Sequence, residues 1–171
     1  YLFELHRRAS WRVRIFGAGH VAQALVRALA DVPVALTCID PRAEWTDALP
    51  RSQKNLEIVR TESPAAWAEA HAGADDFFVV MTQGHASDVP ILTALFKKFP
   101  RPRYIGVIGS ETKGLRIKAE LRERGVSEEW LRELHLSAER EKDYRKEAGE
   151  VLKIYHGKRP EQDQFNILYS N

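Results

Sequence analysis

Four short stretches carry the residues that could do chemistry: Gly17-Ala18-Gly19-His20, Asp40-Pro41-Arg42, Thr82-Gln83-Gly84-His85, and Gly109 through Lys113. With Ala22, the first fits the pattern G-x-G-x-x-A. In that pattern Gly17 permits a tight turn off a strand, and Gly19 lets a phosphate approach the backbone. Ala22 lets the next helix pack close to a sheet. The free N–H groups and positive end of that helix would hold an anion. His20, at the mouth of the turn, could contact a phosphate, a cofactor or a metal, or be a surface histidine at a helix start. Asp40 follows at about the distance, roughly 20 positions, where an acid accepts from ribose hydroxyls. Otherwise it is a solvated acid at a strand end. Arg42 could pair with a phosphate or with Asp40. His85 could bind substrate or act as an acid–base, or simply cap the next helix. Ser110, Thr112 and Lys113 suit a second anion site at a helix start, unless Ser110 is only a cap. Cys38 alternates within an apolar run and reads as core. No H-x-x-H or H-E-x-x-H spacing occurs, so no protein metal site is expected.

Such residues need strands to carry them. Apolar runs at 13–16, 34–39, 56–59, 77–81 and 104–108 read as strands. Between them, helices are expected over 20–30, over 64–71 behind the Ser63-Pro64 cap, from Asp88 and Pro90 through Phe96, and over 115–124. A short helix should follow Ser127 through Leu134, and residues 40–55 read as a polar loop. A charged helix is expected over 138–155, then a tail whose residues 165–169 form a late edge strand or a docking segment. Alternating strands and helices predict an α/β fold, Rossmann-like, with a mainly parallel doubly wound sheet and helices on both faces. The organisation is then a lead-in or linker over 1–12, a Rossmann-like domain over 13–136, and a C-terminal helix and tail over 137–171 packed on that domain. Ligands of such sheets bind beyond the carboxyl ends of the strands. All four chemistry-bearing stretches fall there.

Composition narrows the classes. At 171 residues, one domain is the natural count, and 44% hydrophobic residues suffice for a core. A net charge of +2 without a long Lys/Arg block argues against dedicated nucleic-acid binding, yet permits an anionic small ligand. One cysteine allows neither an internal disulfide nor a cysteine metal cluster. No apolar run reaches transmembrane length, and the start lacks a signal peptide's apolar stretch, so a cytoplasmic protein is the default. The chain also reads well as a piece of something longer.

The segments FGAGHVAQALVRALA, IDPRAEW, VVMTQGHASDVPIL and YIGVIGSETKGLRIKAELRERG, in that order, resemble the C-terminal Rossmann domain of the XdhC/CoxI family over about residues 13–135. These are accessory proteins for xanthine dehydrogenase and related molybdenum hydroxylases. The resemblance implies a protein that binds the molybdenum cofactor (molybdopterin), protects it while its terminal sulfur is installed, and helps insert it into the apo-hydroxylase. It implies a non-catalytic chaperone whose partners are that hydroxylase and a cysteine desulfurase, and it allows a homodimer. Gly17, Gly19 and His20 match the family's glycine turn, and Asp40, Pro41 and Arg42 its second-strand motif. His85, Gly109, Ser110 and Lys113 match the later motifs. Gln83 stands where relatives usually have His, Gly84 takes a usually acidic place, and Glu111 replaces a common basic residue. The family's Cys-Pro-x-Gly-Leu segment does not follow His135, and its N-terminal domain is not in this chain. The rival expectation is an NAD(P)-dependent oxidoreductase, with Asp40 favouring NAD and Arg42 able to accommodate a 2′-phosphate. A third is a nucleotide-sensing regulatory domain.

Overall fold

The computed structural model describes residues 11–137. Six strands form one sheet: β1 (Trp11–Phe16), β2 (Val34–Asp40), β3 (Leu56–Arg60), β4 (Phe77–Val80), β5 (Tyr104–Val107) and β6 (Leu134–Leu136). Their order is β3-β2-β1-β4-β5-β6, and every pairing is parallel. This is the Rossmann-like α/β architecture. Chain order reverses direction between β1 and β4, which opens a crevice at their carboxyl ends.

Side-chain alternation assigns the two faces. Val13 and Ile15 of β1, with Cys38 and Ile58, pack against Ala22 and Val26 of α1 (His20–Ala28) and against Trp45 of α2 (Ala43–Asp47). The other face carries Phe16, Ile39, Phe78 and Val80. It is covered by α3 (Pro64–His71), α4 (His85–Lys98) and α5 (Glu111–Glu123), which pack side by side. A short α6 (Glu128–Arg132) buries Trp130, whose indole N–H donates to the Phe99 carbonyl at 3.0 Å.

On the α3 side of β1, Arg12 and Arg14 precede Phe16. Asp76, fully buried at the amino end of β4, accepts from Arg12 Nε at 2.5 Å and Arg14 Nε at 2.8 Å. Gly73 N–H donates to it at 3.0 Å. Arg14 also donates to Thr37 of β2 at 2.5 Å. A polar seam therefore joins three strands beneath the apolar core. Burial alone would raise the Asp76 carboxyl, but these donors outweigh it and hold it below the ordinary value.

Several boundaries differ from the sequence expectation. Trp11 and Arg12, placed in the lead-in, already belong to β1, because they pair with Val34 and Ala35. The polar loop after Arg42 contains α2, five residues long and too short to show a period. Helix α4 begins at His85, with Gly84 as N-cap, and Pro90 lies inside it. Pro90 lies in the second turn, so the bond that an N–H there would have made to the Ala86 carbonyl is missing from the helix. Leu134 ends no helix. It starts β6, where Leu134 and Leu136 turn into the core beside β5. The helix expected over 138–155, the 165–169 segment and residues 1–10 lie outside the described residues. Among the described residues, no helix is long and apolar enough to cross a membrane.

Candidate functional site

The glycine turn is built by two constraints. Gly17 has φ +106°, a region that side chains disfavour, and a Cβ there would lie 2.5 Å from the Met81 carbonyl oxygen. Its N–H donates to Ile39 O at 2.8 Å, so the turn is tied to β2 while it presses on the end of β4. Gly19 differs. Its φ is −64°, and a Cβ would meet nothing within 4 Å. The chain needs no glycine there for its own packing, so the open face is available to a ligand. Gly19 is the N-cap of α1, with no side-chain cap and no acid in the first turn. The N-terminal end of α1 keeps its positive character.

Asp40 ends β2 and is buried. Its Oδ2 accepts from the Ala18 N–H at 2.8 Å and from Arg42 Nη2 at 2.7 Å. Its Oδ1 accepts from the Arg42 N–H and from Arg42 Nε, both at 2.9 Å. Burial would raise this carboxyl, but the Arg42 and Ala18 donors hold it below the usual value. Arg42 in turn is pushed up, chiefly by its hydrogen bond to Asp40. Its guanidinium lies 5.1 Å from the Trp45 ring centroid. The exposed His20 ring meets the other edge of this stack, 5.0 Å from Trp45 and near-perpendicular. Arg42, Trp45 and His20 thus form a continuous row from the end of β2 to the start of α1.

Two clefts meet at this row. The first, of about 310 Å³, lies between Gly17, Asp40, Pro41 and Arg42 on one side and Ser63, Pro64, Gln83, Ser87 and Ile91 on the other. The second, of about 340 Å³, is bounded by Gly19, His20, Ala22, Trp45, Met81 and Ile108. Arg42, Thr82 and Gln83 border both. Each volume sits at the small end of the range for ligand sites.

The structure therefore brings Gly17, Gly19, His20, Asp40 and Arg42 together. It does not bring the other four into these two clefts. His85 opens α4 but faces Glu120 of α5, with Nε2 at 3.5 Å from Oε1. Lys113 folds over Gly109, donates to the Ile108 carbonyl at 3.1 Å, and lies 2.6 Å from Asp88 Oδ2. Asp88 is fully buried, and its other oxygen accepts from the Thr82 hydroxyl at 2.5 Å. Ser110 caps α5, accepting from the Lys113 N–H, and Gly109 is bracketed by the Ser137 hydroxyl. The β5 end thus serves internal bonding, which its anion-like motif did not reveal. Conversely, Trp45 and the Ser63-Pro64 turn border the clefts. The sequence offered Ser63 only as a helix cap, although its place after β3 was the available signal.

Cys38 is fully buried, and its thiol is pushed up to about 12, first by burial and then by the nearby Asp40 charge. Among the described residues, no three His, Cys, Asp or Glu side chains gather to hold a metal ion.

Comparison with known proteins adds four likenesses. The model of one family, the XdhC Rossmann domain, matches residues 13–138. A crystal structure described as a xanthine dehydrogenase from Bacillus halodurans superposes with TM-score 0.53 and 28% identity, over 63% of this chain and 32% of that one. The chain thus spans about a third of that protein's length. The GsuK RCK domain (TM-score 0.52) and the GsuK channel bound to NAD (0.51) share the fold at 12% identity, each over 68% of this chain and 25% and 21% of theirs. No curated protein matches.

Proposed function

Because this chain belongs to the XdhC Rossmann-domain family, we propose that it is a molybdenum-cofactor-binding accessory domain serving xanthine dehydrogenase-type hydroxylases. The observation that carries this reading is the junction of two clefts at Arg42, beside the open face of Gly19 and the uncapped end of α1. Those groups suit the phosphate of a molybdopterin. The proline- and isoleucine-walled first cleft suits its flat pterin.

The residues fit the organic part of the cofactor better than its metal. Cys38, the chain's one thiol, is buried and protonated, so it offers no thiolate toward molybdenum. The role is therefore capture and shielding: α1 and Arg42 hold the anionic end, and the loops after β3 and β4 exclude water. Hydroxylation belongs to the enzyme that receives the cofactor. An NAD-dependent dehydrogenase is the weaker reading, because Asp40, its expected ribose partner, has both oxygens engaged by Ala18 and Arg42.

The test is thermal unfolding of the purified chain with molybdopterin, NAD, NADP and ATP, followed by activation of an apo-hydroxylase. A ligand at 100 times its Kd should stabilise the fold by about 2.7 kcal/mol. Stabilisation by the pterin together with faster activation of the hydroxylase is the expected result. Stabilisation by a nicotinamide nucleotide alone, with no effect on the hydroxylase, would overturn the reading.

A further inference from the structure

We propose that Arg42 sets the specificity of the cleft, so that it takes a phosphomonoester carried on a planar heterocycle and rejects a ribose diol at the same point. The inference rests on the reading of these clefts as a ligand site. It adds which chemical group that site selects.

An acid at the end of the second strand ordinarily suggests a diol, since its carboxylate accepts from the two hydroxyls. A carboxylate offers about four lone-pair positions. In Asp40 all four are filled: Oδ1 by the Arg42 N–H and Nε, Oδ2 by the Ala18 N–H and Arg42 Nη2. Its side chain is only 2% exposed. A diol could be read only by expelling the guanidinium, which would strip a buried carboxylate of its cation.

Arg42 has the opposite balance. A guanidinium carries five N–H donors in a rigid fork. Asp40 takes one from Nε and one from Nη2, which leaves the outer edge for another acceptor. The side chain is 25% exposed and borders both clefts. Asp40 on one side and the Trp45 ring on the other fix its orientation before any ligand arrives. A fixed fork favours phosphate oxygens, which accept two parallel bonds. The α1 end adds partial positive charge. Besides Asp40, which Arg42 neutralises, the acid on the first cleft is Glu62, exposed and screened.

The heterocycle follows from the walls. Pro41, Pro64 and Ile91 contribute apolar lining to the first cleft, and Ser63, Gln83 and Ser87 contribute polar groups. A flat ring with nitrogen and oxygen at its rim matches this arrangement. Nucleotides and phosphorylated pterins both have that chemistry.

Two ligand pairs separate the sources. Binding of the full chain is measured for NADP against NAD, and for an air-oxidised phosphopterin against the same pterin after phosphatase treatment. The phosphorylated member of at least one pair should bind about tenfold or more tighter, as the loss of one hydrogen bond to a charged group predicts. The ratio should fall toward one in Arg42→Met. Arg42→Gln, which can still donate to Asp40, guards against misfolding and should lower it likewise. A preference in the pterin pair identifies a phosphopterin, and one in the nucleotide pair a nucleotide. The second result supports Arg42 selectivity while counting against the molybdenum reading. Equal affinities within both pairs, no binding by any member, or a preference that survives in both variants would overturn the inference. Hydroxylase activation is read separately, so delivery without phosphate selectivity would sink this inference alone.

Discussion

Lys113 Nζ lies 2.6 Å from Oδ2 of Asp88, a carboxylate with no exposed surface. The pair joins the first turn of α4 to the first turn of α5, and Thr82 holds the other Asp88 oxygen. The loop between β4 and α4, which borders both clefts, is thereby fixed from beneath. Lys113→Met leaves Asp88 buried without a cation, and should cost about 3 kcal/mol, as broken buried pairs do. Replacing both partners, Asp88→Asn with Lys113→Met, should recover part of that loss. Urea unfolding of the parent and the two variants checks the order. An equally destabilised double variant would mean that Lys113 contributes packing and not charge.

Two glycines two residues apart should respond in opposite ways. Gly17→Ala puts a side chain at positive φ and against the Met81 carbonyl, so it should destabilise by about 3 kcal/mol. Gly19→Ala has ordinary φ and empty space, so its melting temperature should stay near the parent's. Its ligand binding should fall, because the methyl fills the approach to α1. Melting curves with and without the best ligand of the thermal screen separate the two effects.

The acidic limb of stability should trace to two buried carboxylates. Asp40 and Asp76 have folded values below the ordinary 3.8. The unfolded chain therefore takes up protons first as pH falls. Their contribution is full above about pH 5, drains away as the pH falls through 3.8 toward the folded values, and is gone beneath them. Unfolding free energies measured from pH 6 down to pH 3 should fall, and fall less steeply in Asp76→Asn. An unchanged slope in that variant would remove Asp76 from the account.

Cys38 should be chemically silent in the native chain. It is fully buried, with its thiol raised to about 12, and its Sγ lies 3.6 Å from the Gly17 carbonyl oxygen. A maleimide at pH 7.5 should label it only after denaturant is added. Rapid labelling of the folded protein would show that the turn opens.

The parts legible in the sequence were those governed by local pattern. The apolar runs announced five strands, and the glycine turn announced the helix start that follows β1. The short pieces were hidden: α2 has five residues and β6 three, too few to display a period. At the site, proximity was legible but partnership was not. Arg42 stands two positions after Asp40, a spacing that allows it to face either the ligand or the acid. Only the extended backbone at Arg42, with ψ 124°, brings its fork onto the carboxylate. Lys113 looked like a phosphate ligand because its partner, Asp88, lies far away in sequence on another helix. The Trp45 stack was out of reach for the same reason, since His20 and Arg42 meet it from different elements.

The seam beneath the core has a consequence for how the chain assembles. Arg12 and Asp76 are 64 positions apart, yet their strands are neighbours at the centre of the sheet. Closing a loop of that length carries an entropy of roughly 4 kcal/mol before β1 and β4 have buried anything. Neither half of the sheet can avoid this step, because β1 is the inner edge of one and β4 of the other. A half formed alone would display an unpaired edge strand beside exposed Phe16 or Phe78. The meeting of these two central strands is therefore the step at which the entropy of chain closure is offset by burial on both faces of the sheet.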